Sequence, residues 1–483
     1  MQFNSYVFIC IFMPLMIIAY YVGIKIHHAA GKILLIVGSV LFYAYSDWSV
    51  LIVMGISLII NYVFAKYIES SGKWSKLYLA IPTIVNVALL LYFKYTDFII
   101  ENSNLWFGTE IALKELVLPI GISFFTFQQI VYVASVYKKQ IEKVVLIDYL
   151  AYILYFPKIL MGPLMDPVDF MQQINNEKCR KIDWDNIAYG IKIFSFGLFK
   201  KMFLADTFAN AVSWGYTNIG KATSMDWILI MLFYTFEIYF DFSGYTDMAV
   251  GSSLMFNIVL PINFDSPYKA VSIRDFWKRW HISLTQFFTK YVYIPLGGSR
   301  KGMLWTCINT MIVFLISGIW HGANWTFILW GVLHGAFVLF DRMIEKSGKK
   351  LFEPFRWVLT FGVINILWLL FRSDSIKQWG EILETIAYFV DTRVSSDLLY
   401  VFFIQERFFL SHIIPAIGSW SVLMRGFWMF AFVLASSIIC FLPDNNYRRL
   451  RNNSIVTMLF AAAAFVWGFI SLGGESAFVY LGF

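Results

Sequence analysis

Apolar residues are gathered along this chain into runs of about 14–26 residues separated by polar loops, the pattern of helices that cross a bilayer. Such runs fall at 5–24, 33–46, 48–65, 77–93, 116–137, 187–212, 227–248, 303–319, 326–341, 355–371, 425–443 and 455–472, which predicts about twelve spans. At about 1.5 Å per residue the first run covers about 30 Å, the thickness of the hydrocarbon layer. With no basic residue before it and no small-residue cleavage site after it, this run is expected to stay as a membrane helix rather than leave as a signal peptide. A shorter run at 149–163 carries Pro157, Pro163 and Lys158, which suits a re-entrant segment lined by protein.

One stretch has a different period. Ile273, Phe276, Trp277, Trp280, Leu284, Phe287, Phe288 and Tyr291 step by three and four, with Lys278, Arg279, Gln286 and Lys290 on the opposite face and His281 beside Arg274 at the seam. This predicts a helix over 273–291 that lies along the membrane interface. Two readings are compatible: an anchoring helix whose basic residues meet lipid head groups, and a basic face made of Arg274, Lys278 and Arg279 that holds a phosphorylated cosubstrate while His281 points inward.

Composition agrees with the pattern. Of 483 residues 59% are hydrophobic and only 14% charged, too few to clothe several soluble domains, so an all-α, multi-pass membrane protein is expected. It is read as one membrane-embedded domain over 1–483, with a core at about 118–342 and an outward loop at about 373–424 that forms any cap. Lys25 and Lys32, then Lys66, Lys73 and Lys76, then Lys138, Lys139 and Lys143, and later Arg342, Lys346, Lys349 and Lys350 mark cytoplasmic loops. The acidic loop from Asp97 to Glu115 and the loop after Arg372 then face outward, and an even number of spans puts both termini outside. The net charge of +7 follows from this bias and gives no sign of nucleic-acid binding. Cys10, Cys179, Cys307 and Cys440 have no paired or metal-ligand spacing, so no metal site is expected and the four read as packing residues.

Ionisable groups inside apolar runs are the candidate chemistry. Glu237, Asp241 and Asp247 lie in or near the 227–248 run, where a carboxylate needs a wet cavity or a cationic partner, and Arg274 or Arg279 is the partner expected. For Asp247 a purely structural ion pair serves as well. Among the histidines, His27 and His28 read as solvated loop residues, His412 as an outward-loop residue and His334 as helix packing. His321, within "SGIWHGANWTFILWG", reads by spacing alone as a buried core histidine. No GxSxG elbow, phosphate loop, HExxH or HxxxxD box occurs.

"FDFSGYTDMAVG", "NFDSPY", "DFWKRWHISLTQFF", "YVYIPLGGSRKG" and "SGIWHGANWTFILWGVLHG" follow one another at close intervals, and "LPIGISFFTFQ", "FPKILMGP" and "GLFKKMFLAD" precede them. This ordered set resembles the membrane-bound O-acyltransferase superfamily, in its alginate O-acetyltransferase-type branch, from about residue 40 onward. The resemblance implies a helical membrane enzyme of the bacterial cytoplasmic membrane with a tunnel through it. It also implies an acetyl-CoA donor on the cytoplasmic side, no bound cofactor, and an exported or cell-wall polysaccharide as acceptor, reached through an SGNH-like extracytoplasmic partner. His321 matches the family's catalytic histidine and His281 its second polar position. Trp320, Asn324, Asp241 and Ser243 would then be supporting residues, with His281, Asn324 or Trp320 as hydrogen-bond donors to an oxyanion. Departures are Ser135, Val136, Tyr137 and Lys138 where the family often has Asp-Val-Tyr-Arg, and Asn257 and Ile262 where Gly and a polar residue are common. Two other functions fit part of the sequence: D-alanyl transfer to teichoic acid from a carrier protein, and a polytopic transporter or flippase, which would be marked by inverted repeats that are not seen.

Overall fold

The computed structural model describes every residue except 46, 47, 49, 71, 349–351, 403–421, 443–453, 473–477 and 480–483. Its regular elements among these residues are all helices. In chain order the helices are α1 (Met13–Ile26), α2 (His28–Ala44), α3 (Val50–Ser70), α4 (Ser75–Phe107), α5 (Ile122–Tyr137), α6 (Leu146–Leu154), α7 (Phe156–Ile159), α8 (Pro167–Ile174), α9 (Trp184–Phe199) and α10 (Asp206–Thr217). There follow α11 (Ser224–Leu254), α12 (Ile273–Arg279), α13 (Ile282–Phe288), α14 (Met303–His321), α15 (Trp325–Lys346), α16 (Glu353–Arg372), α17 (Ile376–Tyr388), α18 (Ser396–Val401), α19 (Val422–Phe441) and α20 (Ile455–Ile470).

Seven of the described helices are long and apolar enough to cross a membrane, and α2, α5, α19 and α20 are shorter apolar helices. The 187–212 run is the one predicted span outside both groups. It is helical, but α9 passes into α10 through a π-helical segment at Lys200–Ala205 that carries two buried lysines. The 116–137 run begins as irregular chain: Pro119 supplies no N–H, Gly121 sits at φ +77°, and the helix starts only at Ile122.

The chain folds as two compact units. The first comprises Met1–Ser195 and Tyr245–Ile262. Within it α5 is buried on every side, and the 149–163 run forms α6 and α7 with a break at Tyr155, both enclosed by protein. Lys158 is fully buried there, its ammonium on the Gln128 amide oxygen and over the Tyr152 ring. Asn257, one of the family departures, has φ +60°, a left-handed conformation that Asn tolerates nearly as Gly does. Its side chain donates to the Lys181 carbonyl and accepts from Asn186. His27 is more than a solvated loop residue: its Nδ1 accepts from Ala29 N and caps α2.

The second unit, Phe196–Gly244 with Asn263–Val479, contains all the site residues that the family resemblance singles out. Its organising feature is the α14–α15 hairpin. Gly318 and Gly331 face one another, and a Cβ on Gly318 would lie 3.1 Å from the Gly331 Cα and run into the Phe327 carbonyl oxygen. Small residues at such a crossing let membrane helices approach backbone to backbone. Asn324 caps α15, its Oδ1 accepting from Thr326 N at 2.9 Å, so only Gly322 and Ala323 separate the end of α14 from that cap. The backbone is therefore fixed closely on both sides of His321.

The amphipathic stretch departs from expectation. Instead of one interfacial helix over 273–291 there are two seven-residue helices, α12 and α13, followed by a π-helical segment at Thr289–Tyr293. Residues from the preceding loop enter the break: Ile282 N donates to the Asn263 carbonyl (3.0 Å), Ser283 N and Oγ to Asn263 Oδ1 (3.2 and 2.6 Å), and Asp265 N to the Arg279 carbonyl (2.9 Å). The groups that a continuous helix would pair internally are thus paired with this loop. Nor do the tryptophans anchor in lipid. Trp277 and Trp280 are buried, with Phe264, Phe276 and Trp368 packed around Trp280 at centroid distances of 5.0–5.5 Å.

Replacing Gly318 by Ala is expected to push α14 from α15 and cost about 1–3 kcal/mol, as overpacking does. Gly362→Ala, at an α16 position with open space around its Cα, is the control and should be neutral or slightly stabilising. Thermal unfolding midpoints of the two variants in detergent measure the difference; equal midpoints would remove the backbone contact as a constraint.

Candidate active site

His321 closes α14 and is 3% exposed. Its ring meets three aromatic side chains edge to face: Trp320 at 4.8 Å, Trp330 at 5.1 Å and Phe371 at 5.2 Å between centroids. These come from α14, α15 and α16, so three spans hold one imidazole. Trp320 also reaches His281, at 6.3 Å, and the Phe242 ring of α11 lies 4.8 Å from His281 on another side. The two histidines, 40 residues apart in sequence, therefore share a tryptophan.

His281 occupies the break between α12 and α13 with φ +44° and ψ +53°. Left-handed backbone at a residue with a Cβ costs of order 1–3 kcal/mol and persists only when its surroundings over-determine it. The loop contacts at Asn263 and Asp265 supply that determination. Burial pushes the His281 imidazole down to about 3, so near pH 7 the ring is neutral, with one nitrogen able to donate and the other to accept.

Some buried polar atoms of this second unit lack partners among the described residues. Trp330 Nε1, Trp368 Nε1 and Ser243 Oγ are buried and have no hydrogen-bond partner among the described residues. Buried donors of this kind normally find a partner, and an oxygen-rich ligand would provide one. Behind Trp330 lies His334, one helical turn on and 4.5 Å away. Its Nδ1 accepts from Trp277 Nε1 (3.1 Å), which leaves the proton on Nε2. His334 packs as expected and couples α12 to the tryptophan that backs His321.

The carboxylates have other partners than those expected. Asp241 pairs with Lys201, not with Arg274 or Arg279: Lys201 Nζ lies 2.8 Å from Asp241 Oδ1 and 2.9 Å from Asp206. Asp241 Oδ2 accepts from Val479 N (3.0 Å), and the Phe478 ring sits under the ammonium at 4.6 Å. Asp241 is thus the centre of a buried charge cluster that anchors the chain's 478–479 segment. Glu237, one turn earlier, is buried, and its Oε2 has no partner among the described residues. Asp247 is buried in the first unit.

The residues expected at the donor are largely engaged. Arg274 donates to both oxygens of Glu345 (2.6 and 3.2 Å) and Arg279 to Asp275 (3.0 Å), while Lys278 is exposed. Asn324 caps α15 through its Oδ1, and its Nδ2 donates to the Asp374 carbonyl (2.9 Å). His412 lies outside the described residues. Sequence reading missed Trp330, Trp368, Phe371 and Lys201. The one signal for Lys201 was a pair of lysines inside an apolar run; the aromatic residues carry no signal that separates site from core.

Lys201→Met is expected to destabilise the protein by about 3–5 kcal/mol, since it strands Asp241 in the core, and adding Asp241→Asn should recover part of the loss. A double-mutant cycle on unfolding midpoints tests this, and additive effects would show that the pair is not coupled. At the helix break, His281→Asn should fold like the parent because Asn accepts the left-handed region, whereas His281→Val should lose about 1–3 kcal/mol. Equal stability of the two would mean that the strain is absent.

The comparisons with known proteins concern the chain as a whole. The model for the membrane-bound O-acyltransferase family, MBOAT, matches residues 42–371. The peptidoglycan O-acetyltransferase of Helicobacter pylori is 38% identical over 418 residues, covering 79% of each chain. The probable alginate O-acetylase AlgI of Pseudomonas aeruginosa is 35% identical over 386 residues, 78% of this chain and 73% of that one. More distant is the teichoic acid D-alanyltransferase of Bacillus subtilis, 27% identical over 251 residues, 50% of this chain and 62% of that one. With a family match over residues 42–371, relatives 35–38% identical over most of its length and seven described helices apolar enough to span, this chain belongs to the membrane-bound O-acyltransferase family and is an integral membrane O-acyltransferase.

Proposed function

We propose that this protein moves an acetyl group from cytoplasmic acetyl-CoA, through the bacterial cytoplasmic membrane, toward a hydroxyl of a cell-wall or exported polysaccharide, with His321 as general base. The observation that carries the proposal is the placing of the His321 imidazole, enclosed by Trp320, Trp330 and Phe371 and one tryptophan away from His281. Peptidoglycan is the first acceptor to test, given the 38% identity to a peptidoglycan O-acetyltransferase.

A hydroxyl is a weak nucleophile because its proton is held tightly, and an imidazole nitrogen is suited to take it as bonding develops. The acceptor oxygen attacks the thioester carbonyl carbon, His321 takes the hydroxyl proton, the carbon–sulfur bond breaks, and the imidazolium returns the proton to the departing thiolate. The step balances without an oxidant or reductant. The neutral ring of His281 and the indole N–H groups of Trp320 and Trp330 are the donors assigned to the developing oxyanion. Aromatic walls exclude competing water. Lys278 is the exposed cation best able to meet donor phosphates, since Arg274 and Arg279 already hold carboxylates. An SGNH-like partner outside the membrane would complete transfer to the polymer. D-alanyl transfer from a carrier protein is supported by relatives of lower identity over about half the chain.

In a strain lacking the gene, the parent protein should restore base-labile acetate on peptidoglycan. His321→Ala, at equal membrane abundance, should reduce it by about 100-fold or more, the usual worth of a general base. Acetylation undiminished by His321→Ala would remove this histidine from the chemistry. Restored D-alanyl esters without acetate would replace the donor.

A further inference from the structure

The three rings that meet the His321 imidazole differ in kind. Trp320 and Trp330 each carry an indole N–H, whereas Phe371 has no polar atom in its side chain. Phe371 stands in the last turn of α16 and is 2% exposed. Its ring is hemmed in: besides His321 at 5.2 Å it meets Phe327 at 4.8 Å, Trp330 at 5.3 Å and Trp368 at 5.5 Å between centroids. Phe327 is itself pressed against Gly322, the residue after His321, where an added Cβ would run into its ring. Phe371 therefore has little room to move back from the imidazole.

A general base takes a hydroxyl proton across about 3 Å, and the attacking oxygen nears the acyl carbon to about 3–3.5 Å, so that carbon comes within about 7 Å of the imidazole nitrogen. The first carbon of the acyl chain beyond it is then within reach of the same rings. Chemistry sorts the two ends of the acyl group. The carbonyl oxygen, where negative charge develops, is stabilised by N–H donors, and the hydrocarbon end, which gains nothing from them, goes to the apolar wall. A close-packed wall selects by size, because an extra methylene forces side chains off their rotamers, and one methylene in an apolar pocket is worth about 10–200-fold.

We propose that Phe371 determines acyl length: its ring receives the methyl of a two-carbon acyl group and excludes longer chains. The inference rests on His321 as the general base of acyl transfer.

The test uses membranes of the strain lacking the gene, carrying the full-length protein and given acetyl-CoA or propionyl-CoA. Free thiol released above the level of His321→Ala is measured, and the ratio of kcat/KM for the two thioesters is the readout, because loss of folded protein lowers both and leaves their ratio unchanged. The parent should prefer acetyl by about 100-fold. Phe371→Leu should narrow that preference about tenfold, and Phe371→Ala should bring it close to parity. Phe361→Leu, ten residues earlier on α16 and packed on Tyr268 and Trp357, should keep the parent's ratio. Should Phe371→Ala fail to fold, Phe371→Leu decides. A parent without preference, a ratio unmoved by Phe371→Leu, or the same narrowing in Phe361→Leu overturns the proposal alone. Thiol release equal in the parent and His321→Ala overturns the general-base reading and the proposal with it.

Discussion

Lipid offers no hydrogen bonds, so an imidazole can stand at membrane depth only if protein surrounds it and the helices that surround it come close enough to leave no gap. Here that closeness depends on two residues without side chains. Gly318 and Gly331 allow the α14 and α15 backbones to touch, and the crossing point lies one turn before His321 on one helix and two turns past the Asn324 cap on the other. Trp330, adjacent to Gly331, is thereby delivered to the His321 ring. Trp277 is tied in turn through His334, so the hairpin also sets where α12 ends and where His281 begins.

A second constraint is electrical. α11 is the most enclosed of the long apolar helices, 78% of its best membrane window being buried against 17% for α4, and it is also the one that carries Glu237 and Asp241. Enclosure is what makes Asp241 tolerable, because it is met by a fixed partner instead of lipid. The π-helical segment at Lys200–Ala205 inserts its extra residue where Lys201 must reach Asp241 and Asp206 together. Arg274 and Arg279, the more conspicuous cations in the sequence, serve nearby acids on the outer rim.

Fold class was legible because hydropathy needs no partner to be read: a run of apolar residues long enough to span is a membrane helix wherever its neighbours lie. The ordered motifs likewise marked His321 and His281 before any geometry was known. What stayed illegible depends on residues distant along the chain. The step of three and four over 273–291 continues unbroken through Trp280 and Leu284, yet Asn263, some twenty residues earlier, divides the helix by pairing with Ser283. Lys201 is 40 residues from Asp241, and Trp277 is 57 from His334. The capping role of Asn324 was likewise hidden, since it is visible only once Thr326 and Asp374 are seen at its two ends.

The attachment of Val479 to Asp241 bears on how the protein is made. The two residues are 238 positions apart, and at about 5–20 residues per second the ribosome needs about 10–50 s to supply the second after the first. During that interval α11 has already entered the bilayer with one carboxylate oxygen still lacking its amide. Every nascent chain therefore passes through a period in which its most enclosed helix lacks the N–H that this oxygen accepts in the finished protein.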